Sequence, residues 1–205
     1  MVNRHAFRAD WHDYDDGIYF ITVCCHEKKP LFGMVAEEKM RMNTLGELVN
    51  ERIQSIPKHF ANVELHNHVV MPNHIHILLR ITTEALIPGV TVQTRYVTQH
   101  DALTACLAPD APLALTRIFG ALKPPKHGEP RTDYHFNANL SVVIGNFKAS
   151  VTRAARKVGL LESPGTPIWQ SRFHEHIVRN QRMYENIYNY ICDNPLRWKS
   201  DIFNR

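Results

Sequence analysis

The sequence contains no long apolar run and no C-x-x-C pair, and both absences narrow the class of protein. No apolar stretch approaches the roughly 20 residues that a helix needs to span a bilayer, and the polar N-terminus lacks the apolar centre of a signal peptide. Cys24 and Cys25 are adjacent, so on a strand they would point to opposite faces; Cys106 and Cys192 stand alone. We therefore expect a cytoplasmic protein with reduced cysteines in its core and no membrane partner.

Strong charge of either sign is also absent. The 24 basic and 20 acidic residues give a formal net charge of +4, which is only a weak indication of a polyanionic partner. A chain of 205 residues with 44% hydrophobic residues is typical of one soluble domain with a sizeable core.

Hydrophobic periodicity predicts the element order β–α–β–β–α–β–α. The predicted strands cover 17–25, 63–71, 74–82 and 168–179, and the predicted helices cover 37–56, 140–159 and 181–193. The first helix should end at Pro57, Pro72 and Asn73 should link two strands as a hairpin, and Asn180 should cap the last helix. This order predicts an α+β fold: a ferredoxin-like antiparallel sheet of about four strands, with helices on one face and an additional C-terminal helix.

Residues 83–138 interrupt this order. They contain six of the twelve prolines and show no sustained period. A segment of this length without clear elements is typical of a functional insertion, so we interpret 1–205 as one domain with a proline-rich insertion.

The stretch VVMPNHIHILLR places His74 and His76 inside a predicted strand. Alternation puts both imidazoles on one face, about 6–7 Å apart along the chain, which suits a pair of ligands for a divalent metal. Two solvated histidines on an open face are the alternative. On the last helix, Tyr190 and Asn194 are four residues apart and share a face, so a phenol and an oxygen ligand could meet there. Alternatively, Tyr190 is a core-edge aromatic and Asn194 a helix cap.

Three motifs, VVMPNHIHILL, IWQSRFHEHIVRN and YICDNPLRW, resemble the REP-associated tyrosine transposases of the histidine–hydrophobe–histidine (HUH) endonuclease superfamily. The resemblance covers residues 14–81 and 139–198 in the right order. It implies that His74, His76 and Asn194 bind Mg²⁺ or Mn²⁺ and that Tyr190 is the nucleophile. Relatives often carry Gln or His where this chain has the shorter Asn194.

The resemblance further implies a transposase: a metal-dependent endonuclease and strand transferase that acts on single-stranded DNA beside a hairpin and forms a 5′-phosphotyrosine. Such a protein would work on the nucleoid as a monomer or homodimer. A non-cleaving, host-adapted DNA-binding module and a replication initiator or relaxase are the alternatives. A histidine-triad nucleotide hydrolase is excluded because Leu78 occupies the position of the third histidine. His174 and His176 are available as a base, with structural or solvated roles as the favoured alternative.

The region 145–182 concentrates positive charge, with seven basic and two acidic residues. This surplus of five exceeds the net charge of the whole chain and is typical of a phosphate-binding surface. Lys148, Arg153 and Arg172 are the first candidates for contacts with DNA. Trp169 is a candidate for stacking on a base.

Overall fold

The structure is a computed structural model that describes residues 16–82, 139–161 and 165–204. Within these residues, six strands and four α-helices follow one another: β1 Gly17–Cys24, β2 Gly33–Ala36, β3 Lys39–Met42, α1 Thr44–Gln54, α2 Ile56–His59, β4 Val63–Val70, β5 His74–Ile81, α3 Leu140–Lys157, β6 His174–Val178 and α4 Gln181–Asp193. The predicted insertion at 83–138 lies outside the described residues.

The main sheet has the strand order β4–β5–β1–β6, and every neighbouring pair is antiparallel. The two central strands, β1 and β5, are neighbours in the sheet but are separated in sequence by α1 and β4, among other elements. This is the strand order of a ferredoxin-like sheet, so the predicted fold class is confirmed. The predicted hairpin of β4 and β5 is also present.

Strand alternation divides the core into two layers. Tyr19, Ile21 and Ile77 belong to the larger layer, which packs against α1 and α3. On the opposite face, Ile18 and Leu78 pack against α4. We call these the α1/α3 face and the α4 face. The C-terminal helix therefore covers the side of the sheet that the other two helices leave open.

The prediction of a helix over 37–56 was wrong at its start. Residues 33–42 form the β2–β3 hairpin, in which Glu37 and Glu38 adopt φ values of 52° and 61° in the turn. Helix α1 begins only at Thr44, where the Asn43 side chain accepts a hydrogen bond from the Gly46 amide at 2.9 Å. Met40 lies on β3, and its match to the helical spacing of apolar residues was a coincidence. Strands of four residues are too short for their alternation to be recognised in the sequence.

Two further element boundaries differ from the prediction. Pro57 lies in the first turn of α2, where its missing amide hydrogen costs nothing, rather than ending a helix. The strand predicted over 168–179 is reduced to β6, and only Trp169 forms an isolated bridge, to Cys25.

The cysteines follow the prediction in part. Cys24 and Cys25 are free and buried, and burial raises the pKa of both thiols. Cys192 is disulfide-bonded, so the prediction of reduced thiols was wrong for that residue. Within the described ranges, no helix has both the length and the apolar character required to cross a membrane.

Candidate active site

His74 and His76 lie side by side on the α4 face of β5. Ile75 and Ile77, which alternate with them, are fully buried on the α1/α3 face and fix the orientation of the strand. The two imidazole Nε2 atoms are 3.1 Å apart. His74 is fully buried and His76 is 2% exposed, so the alternative of two solvated histidines on an open face was wrong.

Both Nδ1 atoms have hydrogen-bond partners. The Nδ1 atom of His74 lies 2.9 Å from the Asn73 Oδ1 atom, and the Nδ1 atom of His76 lies 2.8 Å from the Thr22 Oγ1 atom on the neighbouring strand β1. With Nδ1 engaged in each ring, the two Nε2 atoms remain to face the same point. This is the arrangement in which a carbonyl or hydroxyl fixes a metal-binding imidazole.

Both imidazoles are neutral at physiological pH. Burial lowers the pKa of His74 to about 3, and the positive charge of Lys28 contributes in the same direction. Burial also holds the pKa of His76 well below its usual value, with a further contribution from His74. Neutral imidazoles offer lone pairs, so protons do not compete for these nitrogens near pH 7.

Helix α4 is held over this pair by a bulge in β4. A register shift between Leu65 and Asn67 turns the Asn67 side chain towards α4, where its amide donates to the Tyr188 carbonyl at 3.3 Å. At the other end of α4, the Asn180 side chain accepts from the Met183 amide, as the sequence predicted for its cap. Buried Tyr184 anchors the same helix against the sheet.

Tyr190 extends from α4 towards the histidine pair. Its hydroxyl oxygen is 3.4 Å from the Nε2 atom of His76, and the two ring centroids are 5.3 Å apart. Phe20 of β1 supports both rings, since it stacks on His76 at 5.0 Å and meets Tyr190 edge-on at 6.0 Å. Burial raises the pKa of Tyr190, and the nearby Asn194 side chain opposes that effect. The phenol is therefore neutral at pH 7.

Asn194 lies one turn beyond Tyr190, at the C-terminal end of α4. It is 1% exposed, and neither its amide nitrogen nor its amide oxygen has a hydrogen-bond partner in the described structure. A buried amide without partners costs about 1–3 kcal/mol. A buried amide of this kind, one turn from Tyr190, is a candidate for contact with a ligand.

These residues fit a divalent cation. Two neutral imidazole nitrogens and one amide oxygen form a mixed nitrogen and oxygen donor set of the kind that binds first-row divalent metals. In the part of the chain that the structure describes, no three His, Cys, Asp or Glu side chains come together as a metal site. A third protein ligand among the described residues would have to be of another type, and the Asn194 amide is the one that the resemblance implies.

The segment after α4 covers the histidine pair from the solvent side. The Phe203 ring lies 4.4 Å from the His74 ring, and the Phe203 carbonyl accepts from the Asn73 amide at 2.7 Å. Trp198 lies 6.1 Å from the same imidazole. This cover explains why the pair is buried even though it lies on a face that the strand pattern leaves open.

An open cleft of about 650 Å³ adjoins Tyr190 on the side of β6. Its lining consists of apolar rings and side chains together with hydrogen-bonding groups: Phe20, His176, Asn180, Arg182, Met183, Asn186, Ile187 and Tyr190. The cleft therefore offers both stacking surfaces and hydrogen-bond donors next to the phenol. Of the two histidines predicted as candidate bases, His176 lines this cleft.

The predicted DNA-binding residues lie away from this centre. Lys148 and Arg153 are on α3, behind the α1/α3 face. The Lys148 ammonium donates to the carbonyls of Gln170, at 2.5 Å, and Ser171, at 3.3 Å. Arg153 is exposed. A role for either residue in binding DNA stays a prediction.

Arg172 and Trp169 belong to the segment before β6. Arg172 is exposed, and its predicted role in binding DNA is likewise untested. Trp169 is only 8% exposed and packs against Phe32 and Phe147, so the suggestion that it stacks on a base was wrong.

Sequence reasoning missed Thr22, Asn73 and Phe203. Asn73 was interpreted only as a turn residue, although its position next to an H-x-H pair was a usable signal. Thr22 is the polar member of an apolar strand, which is also a signal, but its partner His76 follows only from the register of β1 and β5. For Phe203 the sequence offers no signal, since its contact depends on the path of the chain after α4.

Comparison with known proteins finds one relative and two solved structures of note. No family model matches the chain. The chain is 32% identical to an uncharacterized protein of Haemophilus influenzae over 200 residues, and this alignment covers 97% of the chain and 92% of the relative. A structure of a REP-associated tyrosine transposase bound to a REP hairpin is similar, with 18% identity, a TM-score of 0.49, and coverage of 94% of this chain and 73% of that one. A candidate transposase from Deinococcus radiodurans has 13% identity, a TM-score of 0.38, and coverage of 91% and 95%.

At the level of sequence, the identity of 32% extends over nearly the whole of both proteins. The chain therefore belongs to the same family as the uncharacterized protein of Haemophilus influenzae.

Proposed function

We propose that this protein is a metal-dependent endonuclease and strand transferase for single-stranded DNA, a transposase that acts through a 5′-phosphotyrosine beside a hairpin. The observation that carries the proposal is the distance of 3.4 Å between the Tyr190 hydroxyl and the His76 Nε2 atom, which itself lies 3.1 Å from the His74 Nε2 atom. A nucleophile and a candidate cation site that are this close can act on the same phosphate.

The proposed reaction is a transesterification. The Tyr190 oxygen attacks the scissile phosphorus in line, the bond from phosphorus to the 3′ oxygen breaks, and that oxygen leaves with a proton as a 3′-hydroxyl. A Mg²⁺ or Mn²⁺ ion held by His74, His76 and Asn194 would polarise a non-bridging oxygen and offset the charge that gathers in the transition state. The new phosphotyrosine keeps the phosphodiester energy, so another 3′-hydroxyl can reverse the step and join strands.

Tyr190 must lose its proton before or during the attack. Burial raises the pKa of its phenol, so a base or a nearby positive charge is required at neutral pH. His176 lines the same cleft as Tyr190 and is exposed to solvent, which makes it the candidate that can pass the proton to water.

The cleft beside Tyr190 suits the unpaired nucleotides next to the cut. Its volume of about 650 Å³ lies within the usual range for ligand sites, and it combines Phe20 with the donors Arg182 and Asn186. Aromatic rings and amide or guanidinium donors are the groups with which proteins hold unstacked bases. Because one chain supplies both Tyr190 and the histidine pair, the proposed site is complete in a monomer. A DNA substrate places the activity on the cytoplasmic nucleoid.

The proposal is tested with a labelled single-stranded oligonucleotide that carries a REP-type hairpin and an unpaired flank, in the presence of Mn²⁺. The wild-type protein should form a covalent adduct that withstands denaturation. Tyr190→Phe removes only the attacking oxygen and should abolish the adduct.

Tyr188→Phe is the matched control, because it removes a phenol from the same helix without touching the histidine pair. Its adduct yield should stay within about twofold of the wild type. An undiminished adduct in Tyr190→Phe would reassign the nucleophile. Hairpin binding without any wild-type adduct would favour the alternative of a non-cleaving DNA-binding module.

A further inference from the structure

The amide of Asn73 has only one orientation that satisfies its surroundings. Its nitrogen donates to the carbonyls of Lys28, at 3.1 Å, and Phe203, at 2.7 Å. Carbonyls only accept hydrogen bonds, so the Nδ2 atom must face them and the Oδ1 atom must face His74. Because the Oδ1 atom can only accept, the Nδ1 atom of His74 carries the hydrogen at 2.9 Å. The Nε2 atom of His74 is then left with a lone pair.

The partner of His76 has no such fixed role. The Thr22 hydroxyl lies 2.8 Å from the Nδ1 atom of His76 and can either donate or accept there. The bare Nε2 atom of His74 lies 3.1 Å from the Nε2 atom of His76. Two lone pairs at this distance repel each other, so without a cation the Nε2 atom of His76 carries the hydrogen and donates it to His74. The Thr22 hydroxyl then donates to the Nδ1 atom.

We propose that Asn73 and Thr22 are positioning residues: Asn73 locks His74 with its Nε2 lone pair facing the site, and Thr22 lets His76 change tautomer. Binding of a cation by both Nε2 atoms would require His76 to release its Nε2 hydrogen to solvent and take one up at Nδ1, where the rotated Thr22 hydroxyl would accept it. The ring stays neutral and no net proton is released. The inference rests on the metal site of the proposed function, but it concerns hydrogen positions that exist without metal.

Because the two histidines are buried, each hydrogen bond to their Nδ1 atoms matters for stability and for metal binding. His74, His76, Asn73 and Thr22 are each no more than 6% exposed, so water cannot easily replace a missing partner. An imidazole hydrogen that lost its acceptor would remain unpaired in the core, and a ligand with a hydrogen-bonded Nδ1 is also a stronger electron donor to a metal. The hydroxyl of Thr22 therefore affects metal binding without touching the metal.

The first test reads the tautomers directly in metal-free protein. Nitrogen-15 NMR of histidine side chains distinguishes a protonated Nδ1 from a protonated Nε2, and the His74→Gln and His76→Gln variants assign the two rings. We expect hydrogen on Nδ1 in His74 and on Nε2 in His76. The opposite tautomer in His74, or the same tautomer in both rings, would overturn the inference.

The second test measures Mn²⁺ affinity by electron paramagnetic resonance of the free ion, without DNA. Thr22→Val keeps the shape and removes the hydroxyl, and should weaken Mn²⁺ binding about tenfold or more. Thr22→Ser restores a hydroxyl and should recover the affinity to within about threefold. Thr152→Val is the matched control, since its hydroxyl donates to the Lys148 carbonyl on α3. Its affinity should equal that of the wild type.

The outcomes separate this inference from the proposed function. Wild-type affinity in Thr22→Val, with the fold verified by circular dichroism, would refute the role of Thr22. A wild-type protein that binds no Mn²⁺ would instead refute the proposed metal site, and the tautomers measured without metal would still decide the roles of Asn73 and Thr22.

Discussion

Asn194 is the residue whose surroundings are least explained by folding alone. Its amide is buried with no hydrogen-bond partner, although a buried amide in that state is unfavourable. Tyr190, one turn earlier, is placed by contacts with Phe20 and His76 that any stable fold could contain. The buried amide of Asn194 is therefore the feature on which we base the proposal that this residue contacts a ligand.

Replacement of this residue should therefore affect stability and metal binding in opposite ways. Asn194→Ala removes an unsatisfied buried amide, so the free energy of unfolding without metal should stay the same or rise by about 1 kcal/mol. The Mn²⁺ affinity should fall by at least about tenfold, because one of the three proposed ligands is lost. Chemical denaturation and titration with Mn²⁺ measure the two effects on the same protein.

Asn62→Ala is a suitable comparison, because Asn62 is also a buried asparagine but lies before β4, on the far side of the hairpin from the histidine pair. That variant should keep its Mn²⁺ affinity. A loss of more than about 2 kcal/mol in Asn194→Ala would indicate an ordinary structural role for Asn194.

At the scale of elements, the bulge in β4 determines where the tyrosine helix lies. A regular strand would alternate sides at every residue, but the shift between Leu65 and Asn67 lets both His66 and Asn67 face α4. The side chain of Asn67 then reaches the carbonyl of Tyr188, two residues before the proposed nucleophile. Bulges of this kind commonly re-aim side chains next to active sites.

Loss of this contact should loosen α4 and slow the chemistry. We expect Asn67→Ala to lower the free energy of unfolding by about 1–2 kcal/mol, since it removes a buried hydrogen bond to the helix. Adduct formation on the hairpin oligonucleotide should slow at least about tenfold, because a small displacement of the phenol removes it from line with the phosphate. Denaturation and single-turnover adduct assays measure the two effects.

Asn50→Ala provides the matched control. Asn50 of α1 bonds to partly buried His68 at 2.8 Å on the α1/α3 face, so its loss should cost similar stability. The rate of adduct formation should remain within about twofold of the wild type. Equal slowing in both variants would mean that general loss of stability, and not the position of α4, limits the reaction.

For the whole molecule, the sheet separates two surfaces for which we propose different roles. The proposed centre lies between the sheet and α4, whereas α3 and most of its positive charge lie behind the opposite face. A DNA strand that contacts both the proposed centre and the positive charge of α3 could pass the end of the sheet at which residues 169–171 are hydrogen-bonded to β1. There the Gln170 amide donates to the Cys24 carbonyl, and Cys24 pairs with His74 in the sheet.

The three predicted DNA-binding residues should therefore differ in binding experiments. Arg153→Ala and Arg172→Ala remove exposed charges, and each should weaken hairpin binding and reduce the slope of log affinity against log salt concentration by about one. Lys148→Ala should instead lower the free energy of unfolding, because its ammonium holds the carbonyls of Gln170 and Ser171. Fluorescence anisotropy across a salt series measures the slopes.

Lys58→Ala is the control for charge alone. Lys58 is exposed on α2, which packs against β4 at the edge of the sheet opposite β6. Its salt slope should match that of the wild type. An unchanged slope in both arginine variants would show that the DNA follows another surface.

Strand alternation and helical spacing were enough to predict the ferredoxin-like order, the two histidines on one face, and the phenol of Tyr190 with Asn194 one turn away. Each of these follows from a period that local sequence fixes. The β2–β3 hairpin was missed because its strands are only four residues long. Burial of the histidine pair was missed because it depends on Phe203, 129 positions after His74 in the chain.

Local sequence is enough to tell which residues share a face and which chemistry those residues can supply, because side-chain direction repeats with the period of each element. Which faces meet depends on tertiary packing. The register of β1 and β5 sets Thr22 against His76, the bulge in β4 aims α4 at the pair, and the chain after α4 closes over it. Such distances join residues far apart in the chain, and they arise from packing that no local period encodes.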